Sequence, residues 1–179
     1  MEVTLQRFEL SVVLQEVFEL VEPLAEPKAL QLKLELEATD WQCQTDEGKL
    51  RQVFINLLGN AVRYTRHGRV LMGARRQGDS IRIEVWDTGP GIAEADQGTI
   101  FEEFKRLDTT ASSNDGLGLG LAIVERACAR LGHPLGLWSE PGRGACFMVN
   151  VPIVDRAAPR CTQSARRVYA TGLAHAGLI

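Results

Sequence analysis

Long hydrophobic runs are missing from this chain, which excludes a membrane-spanning helix from the reading. No signal-peptide pattern opens it either, so a cytoplasmic setting is expected. Cysteine is scarce. Cys43, Cys128, Cys146 and Cys161 stand far apart, without the paired spacings of a zinc site or a disulfide frame, and read as buried or incidental thiols in a reducing compartment. An excess of one charge is also lacking: 20 Lys and Arg face 23 Asp and Glu, and a net charge of −3 gives no reason to expect a nucleic-acid partner. What remains is ordinary for a globular chain, 45% hydrophobic and 24% charged over 179 residues. That length suits one domain of about 150 residues plus a tail.

The most informative stretch is DEGKLRQVFINLLGNAVRYT, Asp46–Thr65. Leu50, Val53, Phe54, Leu57, Leu58 and Ala61 recur at three- and four-residue steps and predict one apolar helix face. At about 100° per residue, Asn56, Asn60 and Arg63 share a second stripe beside it. Two carboxamides and a guanidinium in a row can offer oxygen to a hard cation and N–H groups to phosphate, although a solvated polar flank would look the same.

Around this helix the pattern is regular. Leu10, Val13, Leu14, Val17, Val21 and Leu24 predict a first helix, with Ser11 as a cap and Pro23 and Pro27 ending or kinking it. Leu30, Leu32, Leu34 and Leu36 alternate with polar residues as a strand, and residues 40–44 read as a loop. Thr45 or Asp46 caps the asparagine helix, and His67-Gly68 closes it. Val70 to Ala74 and Ile81 to Trp86 read as strands joined by a hairpin turn at Gln77-Gly78-Asp79. Residues 93–115 have little periodicity and read as a lid or a disordered loop. A third helix is expected over residues 118–131 with Gly132 as its stop, then strands over 133–140 and from Ala145 to Val151. Five strands and three helices, the helices on one face of a mixed sheet, make a two-layer α/β sandwich.

Three further segments carry chemistry. In DTGPGI, Asp87–Ile92, an aspartate ends a strand, and Gly89 and Gly91 let the backbone turn sharply and approach a flat ligand closely. FEEFKR, Phe101–Arg106, places Phe101 and Phe104 as an apolar pair anchoring the lid, with a basic end. In GLGLGLAI, Gly116, Gly118 and Gly120 lead into a helix, whose exposed N–H groups form an anion site suited to nucleotide phosphates.

These four segments, in this order, resemble the ATP-binding catalytic domain of bacterial sensor histidine kinases, within the ATPase group that includes gyrase, Hsp90 and MutL. The resemblance covers residues 8–154 and implies their Bergerat-type ATP-binding fold. Residues 155–179, with Arg156, Arg160, Arg166 and Arg167 against the single acidic Asp155, read as a basic linker or disordered tail. The resemblance implies ATP and Mg²⁺ as ligands. Asn60 would hold the metal and Asn56 support it, and Arg63, where many relatives have lysine, would meet the phosphates. Tyr64 would lie beside the nucleotide, and Asp87 would accept from the adenine amino group, with Gly89, Gly91 and Ile92 along the base. Gly116, Leu117, Gly118, Leu119 and Gly120 would cradle the phosphates, and Arg106 would reach the γ-phosphate. Leu117 and Ala145 depart from the hydroxyl residues common at their positions, and Lys105 from an aromatic one.

Hydrolysing relatives carry a glutamate four residues before the metal-binding asparagine, as the base that activates water. Here that position is Asn56, so transfer to a protein side chain is favoured over hydrolysis, with Asn56 and Arg106 as the candidate catalytic residues. None of the three histidines, His67, His133 and His175, has an acidic residue next to it on a predicted helix. The expected partners are therefore a histidine-bearing dimerisation domain of the same kinase and a response-regulator receiver domain. The isolated domain is expected to be monomeric and its parent kinase a homodimer. Alternatives are an ATP-binding regulatory module without transfer and an anti-sigma-type serine kinase.

Overall fold

A computed structural model describes residues 2–102 and 120–154. Strand β1 (Gln6–Glu9) runs into helix α1 (Leu10–Ala25), a single 3₁₀ turn (Glu26–Lys28), β2 (Gln31–Leu36), β3 (Gln42–Thr45) and helix α2 (Glu47–Tyr64). The hairpin β4 (Arg69–Gln77) and β5 (Ser80–Asp87) follows, then a one-turn helix α3 (Glu94–Gln97), helix α4 (Gly120–Leu131), β6 (Leu135–Glu140) and β7 (Gly144–Pro152).

Among the described residues the main sheet has five strands in the order β2-β4-β5-β7-β6, with β2 parallel to β4 and the other pairs antiparallel. These are the five strands expected from alternation. Leu34, Met72, Val85, Phe147 and Leu137 stand in one register row on the face under the helices. α2 packs between α1 and α4 over that face, and Leu50, Val53, Phe54, Leu57 and Leu58 are almost wholly buried. Each such side chain contributes about 1.5–3 kcal/mol of apolar burial, so α2 holds the layers together.

Several local expectations change. Residues 40–44 are not all loop. QCQT pairs antiparallel with QRFE, Gln6 opposite Thr45, in a two-stranded ribbon. Neither segment has an alternating apolar pattern, and the pairing joins residues far apart in sequence, so periodicity could not reveal it. Ser11 does not cap α1. It lies inside the helix, its hydroxyl 2.6 Å from both Glu9 Oε1 and the Thr39 carbonyl. Pro23 is accommodated in the last turns of α1, while Pro27 stands at the front of the 3₁₀ turn.

Of the two candidate caps of α2, Asp46 serves: its carboxylate accepts from the Lys49 N–H at 2.9 Å, the Lys49 ammonium at 2.7 Å and the Thr4 N–H at 2.9 Å. The side-chain bond from Lys49 is the main reason its pKa is drawn down to about 2. α2 also ends earlier than His67-Gly68. Its last carbonyls, on Val62 and Arg63, accept from the Lys28 ammonium at 2.8 and 2.7 Å. α4 ends as expected at Gly132, whose left-handed φ of 67° lets the His133 N–H reach Cys128 O at 2.9 Å. His133 therefore belongs to this cap and not to β6, and its Nε2 lies 2.9 Å from Thr45 Oγ1, tying the end of α4 to the start of α2.

The outer face of the sheet is more covered than its alternation suggests. Glu84 points away from the helices yet is 3% exposed. Arg75 and Arg82 lie across it, and Trp86 Nε1 donates to it at 3.0 Å. Cys43, Cys128 and Cys146 are buried free thiols, as expected, and burial pushes Cys43 up to about 12 and Cys128 to about 11. Among the described residues no helix is long and apolar enough to cross a membrane.

Candidate nucleotide site

The candidate residues gather along the C-terminal half of α2, in two groups about one helical turn apart. The first is built on Asn56 and Asn60, both half-buried. Asn56 donates its Nδ2 to the Gln52 carbonyl at 2.9 Å, which leaves Oδ1 for the cleft. Against this pair stands Gly120, the first described residue of α4. A methyl group on it would lie 3.1 Å from Asn56 Oδ1 and 3.5 Å from Asn60 Nδ2. The start of α4 thus meets both carboxamides, and glycine leaves the space between them open.

The second group surrounds Asp87, the last residue of β5. Its Oδ1 accepts from the Gly89 N–H at 2.8 Å. Burial raises its carboxyl to about 6, while the N–H groups of Gly89 and Ala145 favour the ionised form. Gly89 packs on the end of α2: a Cβ there would stand 2.9 Å from Asp87 Oδ1, 3.3 Å from Thr65 Oγ1 and 3.3 Å from the Tyr64 carbonyl. Tyr64 is half-buried and closes α2, whereas Arg63, in its last turn, is exposed.

The DTGPGI loop is tied to the β6–β7 turn. Gly91, at φ +70°, is so close that a Cβ would fall 2.1 Å from Glu140 O. The Ile92 N–H donates to Ser139 Oγ, which donates to Gly144 O, each at 2.8 Å, and the Gly142 N–H donates to Pro90 O at 2.8 Å. Gln97 Nε2 adds a bond to Ile92 O at 3.1 Å. Ser139, Gln97 and Thr65 were not singled out by sequence. Thr65 closes the asparagine stretch and Ser139 lies near the end of the strand expected over residues 133–140, but what surrounds each side chain depends on folding.

Phe101 meets Phe147 edge-on at a ring distance of 6.3 Å, so the first of the two aromatic anchors reaches the core. Phe104, Lys105, Arg106, Gly116, Leu117, Gly118 and Leu119 lie outside the described residues, as do residues 155–179 with Cys161 and His175. Among the described residues no group of three or more His, Cys, Asp or Glu side chains could hold a metal ion. A cation here would take one carboxamide oxygen and draw its other ligands from phosphate and water, which suits magnesium.

The family described as Histidine kinase-, DNA gyrase B-, and HSP90-like ATPase matches residues 45–155. Over 116 residues the chain is 40% identical to the sensor-like histidine kinase SenX3 of Mycolicibacterium smegmatis, covering 64% of this chain and 30% of that protein. It is 34% identical over 150 residues to the adaptive-response sensory kinase SasA of Parasynechococcus marenigrum, covering 83% of this chain and 39% of that one. Full-length ShkA, crystallised in complex with AMPPNP, shares the fold with a TM-score of 0.76 at 37% identity, over 89% of this chain and 33% of ShkA. The catalytic domain of the histidine kinase ThkA, in a nucleotide-free form, gives 0.72 at 27% identity over 85% of this chain and 96% of that domain. The chain therefore spans only 30% to 39% of these curated relatives' length.

Proposed function

The chain belongs to the histidine kinase-, DNA gyrase B- and HSP90-like ATPase family, and on that footing we propose that it is the ATP-binding catalytic domain, residues 8–154, of a two-component histidine kinase. It binds Mg-ATP and passes the γ-phosphoryl group to a histidine on a separate dimerisation hairpin. The observation that carries this reading is the seating of Gly120 against Asn56 and Asn60, with a carboxamide where water activation would need a carboxylate. Transfer forms a bond from the acceptor imidazole nitrogen to the γ-phosphorus and breaks the bond to the β–γ bridging oxygen, releasing ADP.

Each residue has a part in holding the nucleotide. Asp87 accepts from the adenine amino group, and Gly89, Gly91 and Ile92 bring backbone against the base. Asn60 offers Oδ1 to Mg²⁺, Asn56 supports it, and Tyr64 flanks the nucleotide. Magnesium, when bound, neutralises the phosphate oxygens. Arg63 and Arg106 add positive charge towards the phosphates, and the segment from Gly116 through Leu117, Gly118 and Leu119 to Gly120 offers backbone N–H groups. A response-regulator receiver domain takes the phosphoryl group onward, and ATP chemistry of this kind belongs in the cytoplasm.

A regulatory module that binds ATP without transfer is the second reading, favoured by Ala145, which faces Asp87 across the β5–β7 ladder without a hydroxyl. Calorimetric titration with ATP, with and without Mg²⁺, tests the site. Mg²⁺ should strengthen binding, and Asn60→Ala should lose that gain while keeping metal-free affinity. An equal gain in the mutant would remove Asn60 from the metal.

A further inference from the structure

The outer side of α1 sets bare apolar side chains among charges of one sign. Val12, Leu20 and Leu24 are 49%, 59% and 58% exposed, and with Glu16 they follow one another at four-residue steps along the helix. Glu19 and Glu22 are exposed as well, Glu26 opens the 3₁₀ turn beyond, and no lysine or arginine lies within α1. Glu16 is paired with Arg51, whereas Glu19 accepts from the neutral Gln15 amide at 2.9 Å. Leucines among acids make a surface for a partner that is both basic and apolar.

The chain itself carries such a segment, and it starts in the right place. After β7 the Val154 N–H donates to Gln42 O at 3.0 Å, and the neighbouring carbonyl, on Trp41, accepts from the Leu10 N–H at 3.0 Å. Residues 155–179 therefore begin beside the first residue of α1. They hold Arg156, Arg160, Arg166 and Arg167 against the single Asp155, and Val168 and Tyr169 directly follow the arginine pair. The stretch from Val154 to Arg166 can reach about 40 Å when extended, against about 24 Å for the length of α1. We propose that the outer side of α1 is the docking surface for residues 155–179, with Arg166 and Arg167 meeting Glu16 and Glu19, and Val168 and Tyr169 resting on Leu20 and Leu24. The inference goes beyond the ATP-binding reading and does not depend on it. A short tether holds the segment at an effective concentration in the millimolar range, so even a weak contact is populated.

Cys161 provides the probe. Cys43, Cys128 and Cys146 are buried, so a nitroxide reagent at neutral pH labels Cys161 in the whole chain. At low salt the label should broaden amide resonances of residues 12–24. The broadening should be lost at about 1 M salt, where the screening length falls to about 3 Å. Leu20→Glu with Leu24→Glu should lose it at low salt with an unchanged melting temperature, because both side chains are exposed. Arg166→Glu with Arg167→Glu should lose it too, and alters no residue of the described fold, so it carries the test alone if the leucine variant melts lower. No broadening of α1 at low salt, or broadening that persists in the arginine variant, overturns the proposal. So does broadening in an isotope-labelled Cys161→Ser chain mixed with a nitroxide-bearing chain of natural isotopic abundance, which would assign the surface to a second copy. Nucleotide takes no part in the readout, so this result and that of the ATP titration stand apart.

Discussion

Asp87, the residue proposed to meet the base, is held by burial in a state that costs the ionised fold. Burial raises its carboxyl to about 6 against an ordinary 3.8. Between those values the folded chain holds a proton that the unfolded chain has lost. Asp87 therefore favours the fold below about pH 4, and this contribution is lost as pH rises through 6. At neutral pH the ionised carboxylate is poorly solvated, and an amino donor from a bound base relieves it. ATP affinity should then fall below pH 6, approaching tenfold per unit, as the carboxylate is protonated. Asp87→Asn should bind weakly at every pH and lack that slope, which also separates it from titration of the phosphates. Parallel pH profiles for the two proteins would remove Asp87 from adenine recognition.

At the level of single elements, α2 carries both halves of the site, so its ends matter as much as its faces. Asp46 holds the first turn and reaches the Thr4 N–H, which ties the β1–β3 ribbon to the helix start. Asp46→Ala should cost about 1–2 kcal/mol, read as a lower urea midpoint with an unchanged slope. Its ordinary pKa is drawn down to about 2, so the cap's contribution is present above about pH 4 and lost as pH falls through 2. An unchanged midpoint at neutral pH would mean that Lys49 and Thr4 find equivalent partners in water. Lys28 does the corresponding work at the other end, and its ammonium is made less basic by burial and by Arg63 and Arg66.

At the scale of the whole molecule, the proposed reaction needs an acceptor for the γ-phosphoryl group. His133, the buried histidine, is engaged with Thr45, and burial lowers its pKa, so it is committed to the fold. The proposed transfer would then draw on a histidine presented in line by another domain. Incubated with Mg-ATP alone, the chain should gain no phosphate and release little. With a dimeric histidine hairpin supplied in trans, phosphate should appear on the hairpin as an acid-labile, base-stable adduct. Rapid release of inorganic phosphate by the chain alone would instead place it with the hydrolysing branch of its family.

Much of this was legible in the order of residues alone. The five sheet strands and three main helices follow from periods of two and 3.6, and the Gly132 stop from the left-handed backbone that its helix end requires; all are local properties. The asparagine stripe and the glycine boxes were equally visible, because their spacing along the chain is their meaning. Other features depend on residues brought together from distant positions. The β1–β3 ribbon pairs two polar segments, and Glu84 is covered by arginines from two strands. Gly120 settles against a helix more than 50 residues earlier. The raised pKa of Asp87 belongs to the same class. Desolvation and hydrogen-bond satisfaction are properties of a site's surroundings, and those exist only once the layers have packed.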